Sequence, residues 1–355
     1  MTRTDRLGDV VLSLPAVDLL VAARPDWEVH LMVAPGAVPL VQGRPGLARV
    51  WTWRDDLAPA ARRTLRDELR AEGFGAAVLL QYRRELALLL RAAGIAGRHG
   101  PLSRVSSWFL LDRGRRQARS RHDAHEADLG ADLVAALAGM PAARAPAPRL
   151  HPGPGALAAG RALRAERAAG AATVAFVHPG SGGSTLDWAP ARFAAVASRL
   201  AAQPGWRVFV TGAGRDAGAV AAMAPDLDRR VEVLLDACDL GGLLGLLAAG
   251  DVFVGPSTGP LHMASALDLA AVGIYPPVRT MAPGRWGPRG RWTRALVPDV
   301  GCPARRACRG RRCAHWNCMD RIGPDAVAAA AVALAERRQA DLAAAGTPDR
   351  KEAEP

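Results

Sequence analysis

The chain is nearly empty of lysine. Lys351 is the only one, although the formal charge is +12 over 355 residues. Its basicity therefore rests on arginine, and the alanine- and arginine-rich composition fits a GC-rich coding sequence. Long hydrophobic runs are also missing. The longest apolar stretch near the end, residues 326–335, is about half the length a membrane-spanning helix requires. The first residues lack the basic-then-apolar pattern of a secretory signal, so the expected location is the cytoplasm. Cysteine is scarce, five in all, and four of them lie within residues 302–318 without a C-x-x-C pair. Disulfides are not expected in that compartment. Aromatic residues make up 5% and are absent from the two arginine-dense runs, residues 113–121 and 305–312. That argues against a surface on which nucleic-acid bases stack.

What is present is enough apolar residue, 50%, to build two cores of ordinary size. The pattern alternates strand, loop and helix. In the first half, strands are expected over 27–33, 50–53 and 76–81, with helices over 59–71 and 83–93. Residues 140–155 hold five prolines and two glycines and read as a linker. Beyond it come helices over 161–169, 190–200, 240–249 and 260–267. Between them lie strands over 173–177, 206–210, 231–235, 252–254 and 270–275. Such alternation implies parallel sheets with helices on both faces.

Three glycine-bearing loops follow strands in the second half, at residues 178–183, 211–214 and 255–259. The last ends in Gly259-Pro260 and opens an apolar helix. Proline suits a first helical position because its missing N–H would be unpaired there anyway. Unpaired N–H groups and the positive end of the helix dipole make this a ready phosphate site. Sharp turns alone would also account for the glycines. Near the start, Asp9 follows a glycine on the loop side of the sheet, where it is expected to cap a helix or to act as a base. Pro15 suggests that the helix proper starts near Ser13, leaving Asp9 in a less regular turn.

Together, Leu7-Gly8-Asp9-Val10, His178-Pro179-Gly180-Ser181 and Ser257-Thr258-Gly259-Pro260-Leu261-His262 resemble glycosyltransferase family 9, the heptosyltransferases. The resemblance runs from Arg3 to about Leu334. It implies a GT-B α/β fold: two Rossmann-like domains, residues 1–145 on the acceptor side and 156–345 on the donor side, with parallel sheets facing across a cleft. The first strand of the N-terminal domain is expected to be missing from this sequence, because Met1 falls almost on top of the loop it should feed; a true start upstream is expected rather than a protein without the strand, since omitting a central parallel strand leaves its neighbours with unpaired backbone groups. The resemblance implies an inverting transferase with Asp9 as the base. It places the donor diphosphate against Ser181, Gly182, Ser184, Thr258, Gly259, Pro260, His262 and Arg285. Arg6, His125 and Glu126 become acceptor-side candidates. ADP-heptose is the implied donor and an anionic glycolipid such as the lipopolysaccharide inner core the acceptor. Peripheral contact with the inner membrane is implied, with no cofactor and no nucleic acid.

Two departures bear on the donor. The family's lysine two residues before the tryptophan of the first phosphate loop is Leu186 here, and an acidic position is Ser257. Arg279, Arg285 and Arg289 could supply the missing charge. Cys302, Cys308, Cys313 and Cys318, with His315 among them, could bind zinc, but family members carry cysteines here without a known metal role, and no metal is expected. Rival readings are a nucleotide-sugar epimerase on the same fold, which would need a second acid/base partner for Asp9, and a basic nucleic-acid-binding protein.

Overall fold

A computed structural model describes residues 1–141, 144–304 and 306–346. The chain divides into two compact units, Met1–Pro148 and the residues from Arg149 onward. No described helix is long and apolar enough to cross a membrane.

Among its described residues the first unit holds six parallel strands: β1 Thr2–Arg3, β2 Val29–Val33, β3 Leu47–Thr52, β4 Ala76–Val78, β5 Gly97–Pro101 and β6 Arg113–Arg115. They form two three-stranded ladders, joined by a single parallel bridge between Thr2 and Leu79. The resulting order is β3-β2-β1-β4-β5-β6. The first strand is thus not missing, which corrects the expectation. Two residues suffice because both neighbours use them: Thr2 pairs with Met32 and Arg3 with Val33, while the Leu80 amide donates to Thr2 O at 3.1 Å. β5 and β6 escape a hydrophobic-pattern search because Gly-Arg-His-Gly-Pro and Arg-Gly-Arg are polar, and β6 is an exposed edge.

The second unit repeats this order. Strands β7 Thr173–Val177, β8 Trp206–Gly212, β9 Glu232–Leu235, β10 Val252–Pro256, β11 Ala270–Ile274 and β12 Thr293–Leu296 run parallel as β12-β11-β10-β7-β8-β9. β7, β10 and β11 are buried along their whole length, so they read as continuous apolar runs rather than alternating ones. The helix Pro190–Ala201 buries Phe193, Val196, Ala197 and Leu200 on this sheet. The helix expected over 161–169 instead spans Pro154–Arg167, with proline in its first turn. It crosses the helix Leu240–Ala248 backbone to backbone. A Cβ on Gly160 would stand 2.0 Å from Gly245 O, and one on Gly245 2.0 Å from Ala156 O.

In doubly wound sheets, ligands bind beyond the carboxyl ends of the strands, near the point where strand order reverses. In the first unit that point lies beside β1, and in the second beside β7 and β10.

Candidate active site

In the first unit the last residue of β1, Arg3, enters a buried ionic cluster. Its Nη2 donates to Asp9 Oδ1 at 2.6 Å, Nε to Asp5 Oδ1 at 2.7 Å, and Nη1 to Glu126 Oε1 at 2.8 Å. Arg119 Nη1 also donates to Glu126 Oε1, at 2.8 Å. Burial works against the Arg3 charge, but Asp5, Glu126 and Asp9 outweigh it and hold the guanidinium more firmly protonated than usual. Burial also pushes the Asp9 carboxyl up to about 6. The charges of Asp5 and Glu126 add to that shift, and Arg3 opposes it. Asp9 Oδ2 has no hydrogen bond from a described residue, and the side chain is 14% exposed. The group is thus an oriented carboxyl, pushed up to about 6, with one oxygen not hydrogen-bonded by a described residue.

Asp9 lies within the first turn of a regular helix, Leu7–Ala23, which corrects the expected start near Ser13. Pro15 sits inside this helix, which is buried from Val10 to Val17. The local cost of a proline is outweighed by that burial. Nor is Asp9 the N-cap. Arg6 holds that position, with no side-chain cap, and is itself exposed. His125 is the N-cap of the helix Glu126–Ala138, its Nδ1 accepting from the Ala127 amide at 3.2 Å. Of the three acceptor-side candidates, then, Glu126 joins Asp9 through Arg3, His125 serves the helix end, and Arg6 points to solvent. Two residues beyond the Thr2–Leu79 bridge on each strand, Thr4 Oγ1 and Gln81 Oε1 are buried without hydrogen-bond partners. Sequence reading missed Arg3. The available signal was a cation at the end of a strand, just ahead of Gly8-Asp9.

In the second unit, the loops after β7 and β10 are tied together. Ser184 Oγ donates to Ser257 O at 2.8 Å and approaches Ser181 O at 2.7 Å. Ser181 Oγ donates to Asp187 Oδ1 at 2.6 Å and accepts from the Gly183 amide. Both hydroxyls shape the loop, and Gly182 and Gly183, each in the left-handed region, complete the turn. Thr258 is the N-cap of the helix Gly259–Ala266, yet its hydroxyl turns back to Pro256 O, so the helix has no side-chain cap. Its first-turn amides keep their anion-binding capacity, and Pro260 removes one N–H that would otherwise need a partner. His262 follows on the same helix and is buried.

Behind these loops, His178 Nδ1 lies 3.2 Å from Thr211 Oγ1 and its Nε2 lies 4.0 Å from Asp216 Oδ2. Burial lowers the His178 pKa, with Asp216 opposing. Asp216, not singled out from sequence, accepts from the Ala213 amide at 2.9 Å and presses on Gly180, where a Cβ would stand 2.2 Å from its Oδ1. Its signal was Gly-Arg-Asp one residue after a strand-end glycine. Arg285 is buried with its guanidinium 4.7 Å from the Trp286 ring centroid. Arg279 is exposed and Arg289 half-buried. Leu186 packs on the apolar core instead of facing the loop.

The four clustered cysteines line one cavity of about 340 Å³ with Leu186 and Trp188. Burial pushes the Cys318 thiol up, and Cys302, Cys308 and Cys313 add to it. Among the described residues, no three His, Cys, Asp or Glu side chains are grouped so as to hold a metal ion. Arg305 of the second basic run lies outside the described residues.

Residues 62–309 match the family model of glycosyltransferase family 9 (heptosyltransferase). A Haemophilus influenzae protein provisionally named a glycosyltransferase is 28% identical over 296 residues, covering 81% of this chain and 84% of that one. Among solved structures, a family 9 glycosyl transferase from Veillonella parvula has a TM-score of 0.81 at 15% identity, covering 95% of this chain and 96% of that one. The ADP-heptose lipopolysaccharide heptosyltransferase II of E. coli gives 0.76 at 19% identity, covering 95% and 98%. An E. coli heptosyltransferase solved with ADP gives 0.69 at 19%, again covering 95% and 98%. At these identities the structural likeness concerns the fold.

Proposed function

Because this chain belongs to glycosyltransferase family 9, we propose that it transfers heptose from ADP-heptose, with inversion, to an anionic glycolipid such as the lipopolysaccharide inner core. The observation that carries this reading is the state of Asp9. A carboxylate pushed up to about 6, fixed through one oxygen by Arg3 and open at the other, has the pKa and the geometry of a general base.

In the proposed reaction an acceptor hydroxyl attacks the anomeric carbon and its proton passes to Asp9 Oδ2. The bond from that carbon to the diphosphate oxygen breaks, and the electron pair leaves with ADP. The uncapped turn at Gly259–Leu261 and the loop 181–184 would hold the diphosphate. Their fixed N–H dipoles would stabilise the charge that grows on it. Arg285 and His262 are the side chains proposed to complete that pocket, with Arg279 or Arg289 in place of the lysine absent at Leu186. Ser181 and Ser184 are assigned to positioning, since their hydroxyls hold the two loops in register. Thr4 and Gln81, whose buried oxygens lack partners, are proposed to meet acceptor hydroxyls or water next to Asp9. The donor and acceptor identities are drawn from the E. coli relatives.

The test is mass spectrometry of products formed from a panel of nucleotide sugars, with a deacylated, phosphorylated core glycolipid as acceptor. A product heavier by one heptose residue, formed with the ADP sugar only, is expected. Transfer of a different sugar, or no transfer with any donor, overturns the assignment.

A further inference from the structure

Three of the large apolar side chains most exposed to solvent lie within five residues of the first unit. Val105 is 78% exposed, Trp108 53% and Phe109 76%. They are not on a loose loop. The Ser107, Trp108 and Leu110 amides donate to Arg104 O, Val105 O and Ser106 O, making one continuous helical turn. Ser107 Oγ donates to Arg104 O at 2.5 Å, and Tyr82 Oη donates to Ser106 Oγ at 2.7 Å. Leu110 and Leu111 anchor the turn in the core. Residues three and four apart share a helix face, so Val105, Trp108 and Phe109 project together, fixed from beneath and exposed to solvent. A contiguous exposed apolar patch of this kind marks an interaction surface.

Arginine surrounds the patch. The guanidinium of Arg116 lies 5.0 Å from the Trp108 ring centroid. Arg104, Arg116 and Arg121 line an open groove of about 660 Å³ with Val105 and Trp108, and Arg113 lies on the exposed edge strand β6. None of these four arginines forms an ion pair with a described residue. Neighbouring Arg115 and Arg119, by contrast, are committed to Asp132 and Glu126. No aromatic interrupts the run 113–121 in sequence. The fold supplies one by laying Trp108 against Arg116.

We propose that this turn is a membrane-docking surface, with Val105, Trp108 and Phe109 entering the headgroup region of an anionic bilayer while Arg104, Arg113, Arg116 and Arg121 bind its phosphates. Tryptophan and phenylalanine prefer that depth, and arginine adds attraction to anionic lipid. A nucleic acid would use the aromatic and the arginines, but it gives Val105 no role. β5 and β1 end at the same edge of the sheet, two strand spacings or about 10 Å apart. Arg119 connects the basic segment to Arg3 and Asp9 through Glu126. A glycolipid held in the bilayer would therefore meet the protein at the edge that carries Asp9. This part of the argument rests on the proposed glycolipid acceptor.

Vesicle sedimentation tests the proposal with the full chain. The wild-type protein should pellet with phosphatidylcholine vesicles containing phosphatidylglycerol, and release as salt rises. Val105→Ser/Phe109→Ser should weaken partitioning by about tenfold or more, and Arg113→Glu/Arg116→Glu should abolish the preference for anionic lipid. Brominated lipid should quench the wild type more than Trp108→Phe. Melting temperatures should stay unchanged, since the altered side chains are exposed. Wild-type protein that remains in the supernatant, or variants that bind like wild type, overturns the proposal. So does a dimer that the serine variants convert to monomer, or oligonucleotide binding that the variants lose while vesicles are ignored. Transfer to a soluble deacylated acceptor separates the two readings. If docking is wrong but the enzyme assignment right, transfer persists without vesicle binding. If the acceptor assignment is wrong, vesicle binding persists without transfer.

Discussion

Arg3 Nη2 donates to Asp9 Oδ1 at 2.6 Å across the turn that joins the first strand to the first helix. That contact fixes one oxygen of the carboxylate and leaves the other without a hydrogen bond from a described residue. The raised pKa gives the first prediction its sign. A base works ionised, so turnover should climb with pH through about 6 and level off above it. Asp9→Asn should lose about 10² to 10⁴ in turnover, with nucleotide affinity unchanged. A folded carboxyl raised above its unfolded value stabilises the protein below the unfolded pKa and loses that contribution as pH rises through the folded one. Asp9→Asn should therefore melt no lower than wild type at pH 8. Kinetics beside melting curves at several pH values check this. Activity within a few-fold of wild type would remove Asp9 from the chemistry.

The second prediction concerns Arg3 itself. Arg3→Met leaves Asp5 and Asp9 without their counter-charge, while Glu126 keeps Arg119. Removing one partner from a buried ionic cluster costs about 3–5 kcal/mol. The loss should be large at pH 8 and smaller at pH 4, where Asp9, pushed up to about 6, can take up a proton. Urea unfolding at both values measures it, and an equal, small loss at each would show that the cluster contributes little.

Gly180 offers a steric test. Gly180→Ala places a methyl 2.2 Å from Asp216 Oδ1. Asp216 is held by the Ala213 amide, so it has little room to yield. A destabilisation of about 1–3 kcal/mol is expected, together with weaker nucleotide binding as the loop shifts. Calorimetry gives the first quantity and a nucleotide titration the second; wild-type values for both would mean that the loop has slack.

Nucleoside diphosphate should slow hydrogen exchange over residues 255–262, whereas the free sugar should not. The uncapped helix start at Gly259 is the motive. Equal protection by both ligands, or by neither, counts against a phosphate site there.

Chelators should leave transfer unchanged, because the proposed charge stabilisation comes from amides and arginine. Stoichiometric metal in the purified protein, with activity lost on its removal, would reassign the cysteine cavity.

Much of this organisation is legible in the sequence, for identifiable reasons. The buried parallel strands of the second unit are continuous apolar runs, so β7 and β11 stand out at once. The loops proposed to hold the diphosphate announce themselves through glycine and proline. What escapes is structure built from polar residues. β5 and β6 carry almost no hydrophobic signal, and the Arg3 cluster joins residues up to 123 positions apart, which no local pattern records. The roles of Ser181 and Ser184 are also out of reach: sequence places them at a candidate phosphate loop, but only geometry shows their hydroxyls committed to the loop itself. The start of the helix at Asp9 cannot be read from sequence because Pro15 is a strong local signal, which the buried packing of residues 10–17 overrides.

The glycine contact between the helices Pro154–Arg167 and Leu240–Ala248 has a mechanical consequence. Where a crossing is made of side chains, rotamer changes let one helix slide over the other. Here Gly160 and Gly245 bring main chain against main chain, with no room for a methyl on either side. The two helices behave as one plate. The second feeds β10 through Gly250 and Asp251, and Asp251 is braced by Arg164 of the first helix and by Arg338. The far end of β10 carries Ser257 and Thr258. Stiffness at one end of that strand thus sets how much play is left at the other, and a bulky residue at Gly160 should be felt as a displaced Ser257–Thr258 loop a full strand away.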